Sequence, residues 1–175
     1  MNPEPSLERL TALASAVAGH LMVVEWGRDG KPATTDGRRI RLNPNEAQSA
    51  RTAVVIQAAL VAAGSLEPDV LVKLRRSRRV RTRYLVLEIG RAMAMMAQVL
   101  PSRGWEKPSV ALRTRNARES LTYARGRDPV ARPLRKWGTL DPRAVITAAR
   151  IVGAAQPRPK ADNPHDTTPT GQDHE

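Results

Sequence analysis

Residues 84–100 read YLVLEIGRAMAMMAQVL, the most apolar run in the chain. The only formal charges within it are Glu88 and Arg91. Three residues apart on a helix, they share a face and lie within reach of each other. Leu85, Ile89, Ala92 and Met96 recur at helical spacing, and so do Val86, Met93 and Ala97. Apolar residues on most sides predict a helix buried centrally rather than lying on a surface. The run is short for a membrane span and carries Glu88, Gly90, Arg91 and Gln98, so no span is expected. A charged pair in such a helix is either an inert structural bridge or a carboxylate aimed at a metal or partner. The structural ion pair Glu88–Arg91 is the expected form. Removing one member of a buried pair costs about 3–5 kcal/mol, because the other is stranded.

Working outward, the chain has 175 residues, enough for one domain with a real core and a tail. That core must be aliphatic, since there is no Phe and there are only three Trp and two Tyr. The absence of Cys excludes disulfides and thiolate metal sites. The first twenty residues lack the basic start of a signal peptide, and a cytoplasmic setting is the expectation. The net charge is +12, with 24 of the 29 basic residues Arg, which predicts attraction to polyanions.

Upstream, Ser6 to Gly19 reads as an amphipathic helix capped by Ser6 and ended by Gly19. Leu21 to Trp26 is a β-type run, and Arg38 to Leu42 alternates Ile40 and Leu42 against Arg39 and Arg41. The two are expected to pair as a small hairpin over about 21–42. Asn43-Pro44-Asn45-Glu46 starts a helix that stops at Gly64, and a short helix follows over Val70 to Leu74. Lys73, Arg75, Arg76, Arg78, Arg79, Arg81 and Arg83 then fall together with no acid among them. In a continuous helix Arg75, Arg79 and Arg83 would stack, at about 0.2–0.5 kcal/mol of repulsion a pair. Either the helix breaks near Ser77 or an anion neutralises this patch.

Downstream, Pro101 ends the central helix. A loop carrying Trp105 leads to a basic helix from Ser109 through Tyr123. An irregular stretch to Gly138 places Trp137 among basic residues, and a last helix runs over Arg143 to Val152. The fold class expected is mainly α with a small β-hairpin, one domain over 1–153 around the central helix at 84–100. A disordered polar tail is expected over 154–175.

No catalytic constellation is present. His20, His165 and His174 have no ligand at metal-binding spacing, and neither a phosphate-binding glycine loop nor a G-x-S-x-G elbow occurs. No metal or cofactor is expected. Nucleic-acid binding is an alternative that rests on charge, with residues 73–83 contacting phosphates and Trp137 offering a ring for stacking.

Three pieces in order resemble a known pattern: TTDGRRIRL (Thr34 to Leu42), a helix ending in AAGSL (Ala62 to Leu66), and YLVLEIGRA (Tyr84 to Ala92). Together they look like the front region of the nitric-oxide reductase activation protein family. That family is related to the cobaltochelatase accessory subunit that carries a von Willebrand factor A domain. The resemblance covers roughly residues 6–100. It implies a zincin-like helix of H-E-x-x-H character and a later Glu in an L-E-x-x-R context, the latter matched by Glu88 and Arg91. Aligning Gly64-Ser65 puts the family's ligand positions near Ile56 and Leu60 and its general base at Gln57, none of which serves zinc hydrolysis. The D-x-S-x-S motif of the A-domain is absent. The resemblance therefore implies a degenerate, non-catalytic accessory module. Its basic face over 73–83 would dock an acidic partner, a MoxR-type AAA+ ATPase or an A-domain protein.

Overall fold

In the computed structural model, which describes residues 6–28, 30–97 and 114–155, the chain is mainly helical with a small three-stranded sheet. Helix α1 spans Leu7–Ala18. The Ser6 side chain accepts from the Arg9 N–H, and Gly19 closes the helix at φ +75°, where a side chain would be strained. Leu10, Ala14 and Val17 form its buried stripe.

The sheet contains β1 (Val23–Trp26), β2 (Thr34–Thr35) and β3 (Arg39–Leu42), in the order β1-β3-β2. The expected hairpin between the runs at 21–26 and 38–42 is not what forms. β1 runs parallel to β3, with Val24 opposite Ile40, and the antiparallel neighbour of β3 is the short β2. The physical reason lies in the connection. The Asp36-Gly37 turn gives one edge of β3 to β2. Residues 27–38 then supply the dozen or so residues that a parallel crossover needs. The alternation in β3 holds, with Ile40 and Leu42 buried and Arg39 and Arg41 exposed. Both arginines reach Glu25 on β1, at 3.6 and 2.9 Å. Helix α1 covers the outer edge of β1: Ser15 Oγ accepts from the Met22 N–H at 3.0 Å, and Thr11 Oγ1 from the Val24 N–H at 3.1 Å.

Asn43 caps a 3-10 turn over Pro44–Ser49 by accepting from the Asn45 N–H. Helix α2 (Ala50–Ala62) follows and is buried continuously from Ala53 to Leu60. Its many alanines let α1, β3 and α4 approach from different sides. The central position is thus shared by two helices. Helix α3 covers Pro68–Leu74, and α4 covers Arg78–Met96. The break falls at Ser77, whose side chain accepts from the Val80 N–H. α4 is buried on all sides only from Tyr84 to Ile89; Met95 is half exposed.

Helix α5 spans Ala117–Arg125, not the longer stretch from Ser109. Residues 114–116 are non-helical, and Asn116 is the cap, accepting from the Glu119 N–H at 2.9 Å. Helix α6 spans Pro142–Ala155 and continues through Gly153, where a stop was expected. It packs on α3. The Trp105 loop and most of the expected tail lie outside the described residues. None of the described helices is long and apolar enough to cross a membrane.

Candidate functional site

Two charged regions sit on α4, one in its middle and one at its start. In the middle, Glu88 is fully buried. Arg91 grips it in a bidentate pair, Nε to Oε1 at 3.0 Å and a terminal nitrogen to Oε2 at 2.5 Å. Ser120 on α5 donates to Oε1 at 2.5 Å. The Ser120 proton is used there, so the 2.6 Å contact with Thr114 has the Thr114 hydroxyl donating. Arg91 also reaches the Ala63 carbonyl at 2.7 Å and Ser65 Oγ at 3.3 Å. The Tyr84 hydroxyl donates to the Ser65 carbonyl at 2.7 Å.

This network has a local cause. α2 ends at Gly64, φ +68°, with the Ser65 N–H returning to the Leu60 carbonyl. That turn leaves the carbonyls of Ala63 and Ser65 facing α4, and Arg91 and Tyr84 satisfy them. The network therefore ties the end of α2, the middle of α4 and the start of α5 together. The hydrogen bond from Arg91 to Glu88 raises the Arg91 pKa above its ordinary value. Burial, and then the Glu88 carboxylate, push the Tyr84 phenol up. Every polar group in the cluster has a partner, as a buried network requires.

At the start of α4 the situation reverses. Lys73, Arg75, Arg76, Arg78 and Arg79 are exposed, and Arg81 is half-buried. Arg83 leaves the patch: its Nε donates to the Ala124 carbonyl at 2.9 Å and its terminal nitrogen to Tyr123 at 3.3 Å, capping α5. Arg78, Arg81, Thr82 and Leu85 fall on one face of α4 and line a cleft of about 220 Å³ against Pro32 and residues 133–140.

The far wall of that cleft is held from below. Gln57 on α2 is fully buried and donates from Nε2 to the Trp137 carbonyl at 3.0 Å. The Thr139 N–H donates to the Ala33 carbonyl at 2.7 Å. Between them Gly138, φ +86°, passes so close that a Cβ would lie 2.3 Å from the Ala33 oxygen. Arg135, also in this wall, donates from Nε to Glu46 Oε1 at 2.5 Å. The Glu46 carboxylate thus goes to Arg135 and not back to the Asn43 cap.

The positions that the resemblance aligned with zinc ligands, Ile56 and Leu60, are enclosed in the core. Gln57, aligned with the general base, holds the Trp137 turn. His20 is exposed and sits 3.1 Å from the Gly37 carbonyl, apart from the Glu88 network. Among the described residues no three His, Asp or Glu side chains gather as metal ligands do. Trp137 is only 5% exposed, so its ring is not available for the stacking expected from the sequence. Sequence reasoning did not single out Thr114 or Ser120, and it named Ser65 and Gln57 without their partners, because Glu88, Arg91 and Trp137 reach Ser120, Ser65 and Gln57 from distant segments. No family model, curated protein or solved structure matches the chain.

Proposed function

We propose that this chain is a non-catalytic accessory module that works by docking on an acidic protein partner. The observation that carries the reading is the condition of Glu88. Both of its oxygens are engaged, by Arg91 and Ser120, and no part of it reaches solvent. A carboxylate so enclosed and engaged is closed to a substrate or ion from solvent. The exposed basic surface of α3 and α4 is the natural contact, since Lys73, Arg75, Arg76, Arg78 and Arg79 have no ion-pair partner among the described residues. Like charges so crowded gain from an opposing acidic surface, which also speeds encounter. The resemblance of TTDGRRIRL, AAGSL and YLVLEIGRA supplies the class of partner: a MoxR-type AAA+ ATPase or an A-domain protein that matures a metalloenzyme in the cytoplasm.

Affinity capture from the native cell tests this. The tagged full chain should recover such an ATPase or A-domain protein. A variant with Lys73, Arg75, Arg76 and Arg79 all changed to Gln should not. Recovery of neither protein by the wild-type chain counts against the reading. The same unpaired cations favour nucleic acid as the second reading. There, log affinity should fall linearly with log salt, by about 0.9 per phosphate contacted on a duplex. A mobility-shift titration that detects no complex at low salt removes it.

A further inference from the structure

We infer that the cleft between the start of α4 and residues 133–140 is a binding site for a phosphate monoester carrying a small apolar group. Three observations meet there. The first is charge without compensation: Arg78 and Arg81 both line the cleft, and among the described residues no carboxylate lines it and neither arginine has an ion-pair partner. The two lie three residues apart on one helix face, where they repel each other until an anion lies between them. The second is donor chemistry. Arg78, Arg81 and Thr82 together line the cleft, and guanidinium N–H and hydroxyl O–H donors are the groups that suit a tetrahedral dianion with several equivalent oxygens. The third is shape. The cleft holds about 220 Å³, more than a bare phosphate fills, and Leu85, Leu140, Pro32, Pro133 and Leu134 give it an apolar wall beside Arg135, Gly138 and Thr139. Such a wall receives the organic part of an ester and discriminates it from inorganic phosphate.

Arg135 stands at the same cleft but is engaged by Glu46. It sets the position of the wall more than it supplies free charge. The wall itself is fixed, because Gln57 and Ala33 hold Trp137 and Thr139 and because Gly138 fits only without a side chain. The site is therefore built before ligand arrives, which lowers the ordering cost of binding. This inference does not rest on the docking reading. The exposed cations Lys73, Arg75, Arg76 and Arg79 do not line the cleft.

The test is calorimetric titration of the purified full chain with phenyl phosphate, inorganic phosphate and phenol at constant ionic strength. Saturable binding of phenyl phosphate, tighter than that of inorganic phosphate and absent for phenol, is expected. Arg78→Gln and Arg81→Gln should each weaken it roughly tenfold or more, since each removes a charge-assisted hydrogen bond. Thr82→Val should weaken it less, and Arg79→Gln should leave it unchanged. Should Arg81→Gln fail to fold, Arg78→Gln decides alone, because Arg78 is exposed. No saturable binding of phenyl phosphate overturns the inference. So does an equal loss in Arg79→Gln, which would mark a diffuse positive field. A phosphoserine peptide, titrated in parallel, separates the sources: equal affinity points to free small esters, and markedly tighter peptide binding to a phosphorylated chain. Failure to capture an ATPase would leave this result standing, and the reverse holds as well.

Discussion

The middle and the start of α4 carry the same kinds of side chain and treat them in opposite ways. In the middle, one acid and one base are withdrawn from water, and each hydrogen bond on them is matched by a named partner. At the start, several bases stand together, and Lys73, Arg75, Arg76, Arg78 and Arg79 have no ion-pair partner among the described residues. Less than two turns separate Arg81 from Glu88. A buried charge must be satisfied within the fold, because desolvation makes an orphan intolerable. A surface charge has no such requirement, and so it can be held for something outside the chain.

The strongest way to break the comparison is to make the middle resemble the start. Arg91→Gln strands Glu88 and takes the donor away from the Ala63 carbonyl and Ser65 Oγ. Urea denaturation should show a loss of about 3–5 kcal/mol. Nearly as large is the effect expected of Gly138→Ala in the cleft wall. A Cβ there meets the Ala33 oxygen at a positive φ, and a cost on the order of 2–4 kcal/mol follows from strain and overpacking. Ser120→Ala removes one donor from Glu88 and should cost roughly 1–3 kcal/mol by the same denaturation assay.

The middle was partly legible in the sequence and the start more so. The spacing of Glu88 and Arg91 announces their contact, because a helix enforces it locally. The crowding of arginines over 73–83 likewise announces a break, and Ser77 provides the cap that makes it. What could not be read is what arrives from far along the chain. Ser120 and Thr114 close the Glu88 network, yet both belong to a stretch with little apolar periodicity. Gln57 meets Trp137 across 80 residues of chain. The parallel pairing of β1 with β3 was hidden for a related reason. Alternation sets which face of a strand is buried and says nothing of which neighbour it takes. The start of α5 does carry a local signal: Asn116 has Glu119 three residues later, as in a capping box, and it is Asn116 that caps the helix.

Smaller effects sharpen the contrast. Tyr84→Phe should cost about 0.5–1.5 kcal/mol through loss of the bond to Ser65. It should also change the alkaline limb of stability. The Tyr84 pKa is raised on folding above its usual 10.0. The stability linked to its neutral form is therefore complete below pH 10.0 and declines as the pH rises beyond it. Thermal melts at rising pH should show that decline in the wild type and a shallower one in the variant. At the start of α4, Arg79→Gln should change stability by less than about 0.5 kcal/mol in either direction. Smallest of all is Glu119, half-buried and held below its ordinary 4.5 by the Arg115 N–H. Its contribution is present above pH 4.5 and is lost as the pH falls through the lowered folded value. The melting difference between wild type and Glu119→Gln should accordingly shrink on acidification.

The most direct measurement is a double-mutant cycle on the buried pair, with Glu88→Gln, Arg91→Gln and the two together compared by urea denaturation. If Glu88 is consumed by Arg91, as the docking proposal requires, the coupling between them should reach roughly 2–3 kcal/mol. A coupling below about 0.5 kcal/mol would mean that the two side chains act independently. It would contradict the assignment of Glu88 to the interior of the fold and return its carboxylate to the search for chemistry.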